Sequence, residues 1–485
     1  MHMMDSRSHA LLACLLLASP FFAAQESACA AQDALAPSPI RWISSTESAP
    51  WKQMTVEAAS SSAQISTAQT SAALAIQLDD HTAYQTIDGF GSCFNDLGWD
   101  ALQALDPPAR EQALQSLFAP GGANFTLGRA PMGANDFALG WYSYDETPGD
   151  YALKNFSIDH DRQTLLPFIH AAMRYQPELA IWAVPWSPPT WMKTNGAYKG
   201  GEMKDDPQVL ASYALYFSKY IQAYRSEGIH LFAVMPQNEP RYNNNVYPQA
   251  VWSGALMNVF LRDYLVPRLR QDKLSIEVWQ GTIVNENLAD YILPVLDDPK
   301  TNPSIAGVAY QYDGQKAFLA THQRYPDKKL MQSETECYNA ENLWQQGLVT
   351  FSKIIEDTSH FAGSYFYWNT VLKDDEPSTW GWRQNSLLTV DRKTKQVRYN
   401  PAFYSMKHFS ANVLPGAKRI AVSGGPFNEI VAFANPDDSQ VLEFENDSDQ
   451  PVDATLQSGG RLYRLPVPAK SMNTVTLSAQ GIQRR

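Results

Sequence analysis

From Ile87 onward the chain repeats one pattern eight times: a short apolar run, then a longer segment with helical spacing. Strands buried on both faces of a parallel sheet read as such runs, and the intervening helices cover them. The runs fall at residues 87–94, 125–132, 179–185, 231–237, 276–279, 305–312, 330–333 and 364–368. The clearest helix follows Pro207, where Leu210, Tyr213, Phe217, Tyr220 and Tyr224 recur at spacings of 3 and 4 and mark one apolar face. Trp344, Leu348, Phe351 and Ile355 mark another. Eight such pairs predict an α/β fold, a (β/α)8 TIM barrel over residues 87–414, although an open doubly wound sheet satisfies the same count.

The two ends have a different rhythm. Residues 40–85 hold short alternating segments such as Ile40-Arg41-Trp42-Ile43 and Leu74-Ala75-Ile76-Gln77-Leu78, separated by turns rich in Ser, Thr and Asp. After Gly416 the alternation returns, at 429–433, 441–444 and 474–477, with no helices between. Either end alone offers few strands and would leave edges unpaired. Both are therefore expected in one accessory β-sandwich, formed by residues 32–86 and 415–485.

A secretory signal peptide is expected over residues 1–31. Arg7 precedes an apolar run from Ala10 to Ala24, small residues follow at Ala28, Ala30 and Ala31, and the run is too short for a stop-transfer helix. The mature product is then expected outside the cytoplasm, secreted or periplasmic. The formal charge of −12 argues against nucleic acid or anionic membrane as a partner. Of four cysteines only Cys93 and Cys337 lie beyond the signal, so no disulfide framework holds the fold. Aromatic residues, 13 Trp and 23 Tyr among them, make up 12 % of the chain. Core packing accounts for most, and flat rings also stack on the C–H faces of sugars.

Strand C-termini in such a barrel converge on one face, so acids just past a strand are candidates for catalysis. The fourth strand ends Val234-Met235-Pro236-Gln237-Asn238-Glu239-Pro240, which puts Glu239 at the mouth with Asn238 beside it. A half-apolar setting there would raise its pKa toward that of a general acid. A loop glutamate capping a helix would carry the same tripeptide. The seventh strand ends Leu330-Met331-Gln332-Ser333-Glu334-Thr335-Glu336-Cys337 and supplies a second acid. Alternation points Glu334 and Glu336 the same way and does not choose between them. Retaining hydrolysis of a glycosidic bond needs two carboxyl groups about 5 to 5.5 Å apart, one to protonate the leaving oxygen and one to attack the anomeric carbon.

Several motifs together resemble the glucosylceramidase family, glycoside hydrolase family 30, over nearly the whole mature length. They are Asp88-Gly89-Phe90-Gly91, Arg129-Ala130-Pro131-Met132 with Asp136-Phe137, Trp186-Ser187-Pro188-Pro189-Thr190-Trp191-Met192-Lys193-Thr194-Asn195-Gly196, Asn238-Glu239-Pro240, Ser333-Glu334 and Tyr367-Trp368-Asn369. The resemblance implies a (β/α)8 barrel joined to a β-sandwich from both chain ends. It further implies that Glu239 is the acid/base and that Glu334, directly after Ser333, is the nucleophile, leaving Glu336 as a neighbour. Asp136 then grips sugar hydroxyls, Arg129 lies beneath the nucleophile with Tyr312 beside it, and Trp186 and Trp368 wall the glucose subsite. Asn238, by its own chemistry beside Glu239, can donate to the sugar 2-hydroxyl.

Two stretches depart from the family pattern. Tyr310-Gln311-Tyr312 stands where human-type glucosylceramidases carry His-Trp-Tyr, and the loop 373–384 differs in sequence. Residues 334–339 also resemble bacterial members that cleave β-1,6-glucan. The expected activity is retaining hydrolysis of a β-glucoside, glycolipid or β-glucan, with glucosylceramide leading and an endo-β-1,6-glucanase as the nearest rival. A non-catalytic carbohydrate-binding protein on a degenerate barrel is the alternative from another class. No Gly-x-Ser-x-Gly elbow, no His-Glu-x-x-His or Cys-rich metal pattern and no Gly-x-Gly-x-x-Gly after a strand occurs. No metal, no cofactor and no obligate protein partner is expected.

Overall fold

Eight parallel strands close into a barrel: β1 (Gly89–Cys93), β2 (Leu127–Pro131), β3 (Ala180–Val184), β4 (Leu231–Val234), β5 (Glu277–Ile283), β6 (Ile305–Gln311), β7 (Lys329–Glu334) and β8 (Ala362–Asn369). Their order is β6-β7-β8-β1-β2-β3-β4-β5, with β5 pairing back to β6, which excludes the open sheet. The computed structural model describes residues 40–58, 75–240, 245–335 and 337–478. The expected signal peptide, residues 32–39 and Glu336 lie outside these.

Every apolar run anticipated from the sequence contributes a barrel strand, and the two boundaries that differ by three residues or more do so for local reasons. β4 stops at Val234 rather than 237 because Pro236 cannot donate to a ladder. β5 extends from Glu277 to Ile283, past the expected 279, because Gln280, Gly281 and Thr282 are buried strand residues without an apolar signature. At Gly91 a Cβ would lie 1.9 Å from the Leu127 carbonyl oxygen, so only glycine permits the approach of β1 to β2.

Trp182, Ala233, Trp279, Ala309, Met331 and Phe366 fill the barrel interior below the mouth. Helices sheathe it. The helix Pro207–Ser226 begins with Asp206 accepting from the amides of Gln208 and Val209 and with Pro207 in its first turn. Leu210, Tyr213, Phe217, Tyr220 and Tyr224 are all buried, as their spacing requires. Trp344, Leu348, Phe351 and Ile355 of the helix Trp344–Ser359 are buried likewise.

The chain ends build the second layer. Strand Ile40–Thr46 pairs antiparallel with Ser471–Leu477, and Ile76–Thr86 pairs antiparallel with Lys418–Ser423. They belong to a ten-stranded sheet whose core includes Trp42, Ile76, Ile420, Leu442, Phe444 and Val475. Helix Pro401–Ser410 packs between barrel and sandwich, where the ring nitrogens of His408 lie 2.7 Å from Thr474 Oγ1 and 2.8 Å from Ser45 Oγ. Cys93 and Cys337 are buried and not joined in a disulfide.

Candidate active site

Arg129 is the hub of the mouth. It lies on β2, fully buried, and its guanidinium faces the rings of Trp182, Trp186 and Trp368 with carbon-to-centroid distances of 5.1, 4.5 and 5.2 Å. One terminal nitrogen donates to Glu334 Oε2 at 2.6 Å and to the Ser333 carbonyl at 3.0 Å. The other donates to Asn238 Oδ1 at 2.6 Å. One rigid cation thus ties the end of β7 to the residue preceding Glu239.

Glu334 is 4 % exposed and receives a second hydrogen bond, 2.8 Å from the Tyr312 hydroxyl on Oε1. Glu239 is 7 % exposed and is held by Gln311, which donates to Oε1 at 2.6 Å, and by Tyr247, whose hydroxyl donates to Oε2 at 2.8 Å. Burial, and then the nearby Glu334 charge, push Glu239 up to about 7 against these donors and Arg129.

Glu239 and Tyr312 both occupy the left-handed backbone region, with φ of 47° and 49°. For residues other than glycine this conformation costs about 1–2 kcal/mol and persists only where the surroundings impose it. The Glu239 amide is anchored on the Thr282 carbonyl at 3.1 Å. Thr282 Oγ1 also donates to Asn238 Oδ1 at 2.8 Å. With Oδ1 taken by two donors, the Asn238 amide nitrogen is turned away from them.

Asp136 sits on the loop after β2, 7 % exposed, and its carboxyl is raised well above the usual range by burial and then by Glu334 and Glu239. Trp380 Nε1 reaches its Oδ1 at 3.3 Å, and the Thr379 amide donates to its backbone carbonyl at 2.8 Å. Trp141 Nε1 donates to Thr379 Oγ1 at 2.8 Å. The loop 373–384 is thereby fastened to the loop that carries Asp136.

Trp186 and Trp368 stack on each other, ring centroids 5.2 Å apart, and both are buried against Arg129. Trp368 Nε1 is buried without a hydrogen-bond partner. The structure thus gathers Arg129, Asp136, Trp186, Asn238, Glu239, Tyr312, Glu334 and Trp368 at one end of the barrel. Sequence reasoning missed Gln311, Tyr247 and Trp380. Gln311 stands at a strand end, where an amide, unlike a carboxylate, gives no sign of chemistry by itself. Tyr247 and Trp380 come from loops whose course no periodicity reveals.

Residues 87–413 match the glycosyl hydrolase family 30 TIM-barrel domain, and residues 416–475 match the glycosyl hydrolase family 30 beta sandwich domain. The chain is 27 % identical over 413 residues to the lysosomal acid glucosylceramidase of Mus musculus, covering 80 % of each. It is 28 % identical over 421 residues to an endo-1,6-beta-D-glucanase of Aspergillus fumigatus, covering 81 % of this chain and 85 % of that one. Among solved structures, SrfJ from Salmonella typhimurium superposes with a TM-score of 0.82 at 26 % identity, over 90 % of this chain and 99 % of that one. An endo-beta1,6-glucanase superposes with a TM-score of 0.81 at 25 % identity and the same coverage.

Proposed function

This chain belongs to glycosyl hydrolase family 30 and is a glycosidase, and from that premise we propose that it hydrolyses β-glucosidic bonds with retention, Glu239 serving as acid/base and Glu334 as nucleophile. The observation that carries this reading is the forked contact of Arg129 with Glu334 and Asn238. It fixes a carboxylate from β7 opposite the Asn-Glu pair after β4.

In the first step Glu239, protonated near neutrality, gives its proton to the leaving oxygen as the glycosidic C–O bond breaks. A Glu334 oxygen forms a bond to the anomeric carbon, giving a glycosyl ester and a free alcohol. In the second step the Glu239 carboxylate takes a proton from water, whose oxygen attacks the anomeric carbon and releases Glu334. The Arg129 cation and the Tyr312 hydroxyl hold the Glu334 carboxylate in one orientation throughout. The free side of the Asn238 amide suits a donor to the sugar 2-hydroxyl, and the unpartnered Trp368 Nε1 and the Asp136 carboxyl suit other hydroxyls.

Glucosylceramide is the leading substrate, by similarity to the mouse enzyme. Endo-cleavage of β-1,6-glucan is the second reading, favoured by the match to an endo-beta1,6-glucanase over 90 % of the chain. Incubation with glucosylceramide and with pustulan, with the first-formed anomer followed by NMR, tests both. Release of glucose from the former or gluco-oligosaccharides from the latter, as the β-anomer, is expected. Release of the α-anomer would overturn the retaining assignment, and turnover of neither substrate would overturn the glucose assignment.

A further inference from the structure

Lys193 is a buried lysine in the loop after β3. Its ammonium donates to the Ser187 hydroxyl at 3.1 Å, to the Tyr198 carbonyl at 2.7 Å and to the Gln249 carbonyl. All three acceptors are neutral, and no carboxylate among the described residues forms an ion pair with it. A buried ammonium with no carboxylate in ion-pair contact is unfavourable, so a simple structural prop would not call for one. What a lysine offers here is three donors diverging from one point.

Residues 247–252 form a strap over Glu239. The Gln249 amide donates to the Tyr198 carbonyl at 2.9 Å, and the Val251 amide to that of Gly201 at 2.9 Å. The Gln249 side chain donates to the Glu239 carbonyl at 3.2 Å, and the Trp252 amide to that of Pro240 at 2.8 Å. Tyr247, two residues before Gln249, is the strap's contact with the Glu239 carboxyl. Lys193 pins the middle of the strap to the loop beneath it.

We propose that Lys193 is a positioning residue for proton transfer, fixing the Tyr247 hydroxyl on Glu239 by holding the Gln249 carbonyl. This rests on the reading of Glu239 as the acid/base. Burial pushes Lys193 down to about 7, opposed by Glu146, the range in which Glu239 also titrates. The charged and titratable groups facing Glu239 are Glu334, Arg129, Asp136, Tyr247 and Tyr312. Of these, Tyr247 is the one carried by the strap.

The test measures kcat, KM and their pH profiles for an aryl β-glucoside with Lys193→Met, Tyr247→Phe, the double variant, Lys193→Arg and Glu239→Gln. In Lys193→Met, kcat is expected to fall about tenfold with KM changed by less than about threefold. The basic limb of the profile is expected to move up in pH, as in Tyr247→Phe, because the lost hydrogen bond had favoured the Glu239 carboxylate. The double variant should be no worse than the poorer single one, and Lys193→Arg should recover part of the loss. An unmoved basic limb in Lys193→Met, or losses that multiply in the double variant, would overturn the proposal. If Lys193→Met does not fold, Lys193→Gln is read by the same two criteria. Full activity in Glu239→Gln would defeat the acid/base reading, whereas loss there with an unmoved limb in Lys193→Met defeats this inference alone.

Discussion

Gln311, the last residue of β6, donates its side-chain amide to Oε1 of Glu239 at 2.6 Å. This bond favours the carboxylate, whereas burial and Glu334 favour the protonated form and bring the group to about 7. In Gln311→Leu the balance moves toward the acid. A hydrogen bond to a charged group is worth about 1.5–3 kcal/mol and a pKa unit about 1.4 kcal/mol, so a rise of about one to two units is expected. The basic limb of kcat/KM should shift up accordingly; a limb that stays in place or falls would contradict the role given to Glu239.

Glu239 also makes a prediction for stability. Its folded pKa of about 7 lies above the ordinary 4.5, so the stabilisation it gives is fully present below about 4.5 and lost as pH rises through about 7. Glu239→Gln, which carries no charge, should therefore be more stable than the parent at pH about 8 by at most about 3 kcal/mol, and show no such gain at pH about 5. Denaturant unfolding at the two pH values checks it. For a substrate with a poor leaving group, kcat of the same variant should fall about 10²- to 10⁴-fold.

Arg129→Lys keeps the charge but loses the fork. A lysine cannot hold Glu334 and Asn238 with separate nitrogens of one plane or lie flat against Trp182, Trp186 and Trp368. Removing one partner of a buried pair costs about 3–5 kcal/mol, and an imperfect replacement should cost a large part of that. Tm should fall, and kcat should drop about 10²-fold or more as Glu334 loses its fixed orientation. Retention of wild-type kcat would show that orientation of Glu334 does not depend on the guanidinium.

What was legible in the sequence followed periodicity and strand ends. The alternation from Ile87 gave eight strand and helix pairs because buried parallel strands and amphipathic helices leave distinct spacings. Closure into a barrel rather than an open sheet lies in the pairing of β5 with β6, which no count encodes. Glu239 was found because an apolar run ends at it. Choosing Glu334 over Glu336 needed the family resemblance, since the alternation expected of a strand sends both the same way. Gln311 escaped because an amide at a strand end carries no signal until its partner is known. Its place beside Glu334 arises from a register irregularity between Tyr310 and Gln311 that no single-strand pattern encodes. Tyr247 and Trp380 reach the site on loops, where position follows from tertiary hydrogen bonds such as that between Thr379 and Asp136.

His408, at the junction of barrel and sandwich, is pushed down from 6.5 to about 3 by burial and then by Lys407 and Arg41. The unfolded chain binds this proton and the folded one does not, so its contribution is intact above about 6.5 and lost as pH falls toward about 3. Between pH about 7 and 5 the loss amounts to about 2 kcal/mol. His408→Gln should be less stable at neutral pH, having lost packing and a hydrogen bond. Its stability should nevertheless decline less steeply on acidification than that of the parent. Parallel slopes for the two proteins in denaturant titrations would remove His408 as a source of acid sensitivity.

Trp380 ties Asp136 to Tyr247, the residue whose hydroxyl donates to Glu239. Its indole nitrogen reaches Asp136, and its ring lies against Tyr247 with centroids 5.5 Å apart. Trp382, 38 % exposed, continues the aromatic surface outward at 5.2 Å. If Asp136 grips the sugar in both ground and transition states, losing its indole neighbour weakens binding more than chemistry. In Trp380→Ala, KM for an aryl β-glucoside should rise about tenfold while kcat changes by less than about threefold. A matching fall in kcat with KM unchanged would instead mean that the ring acts through Tyr247 on Glu239, which a shifted basic limb in the same variant would reveal.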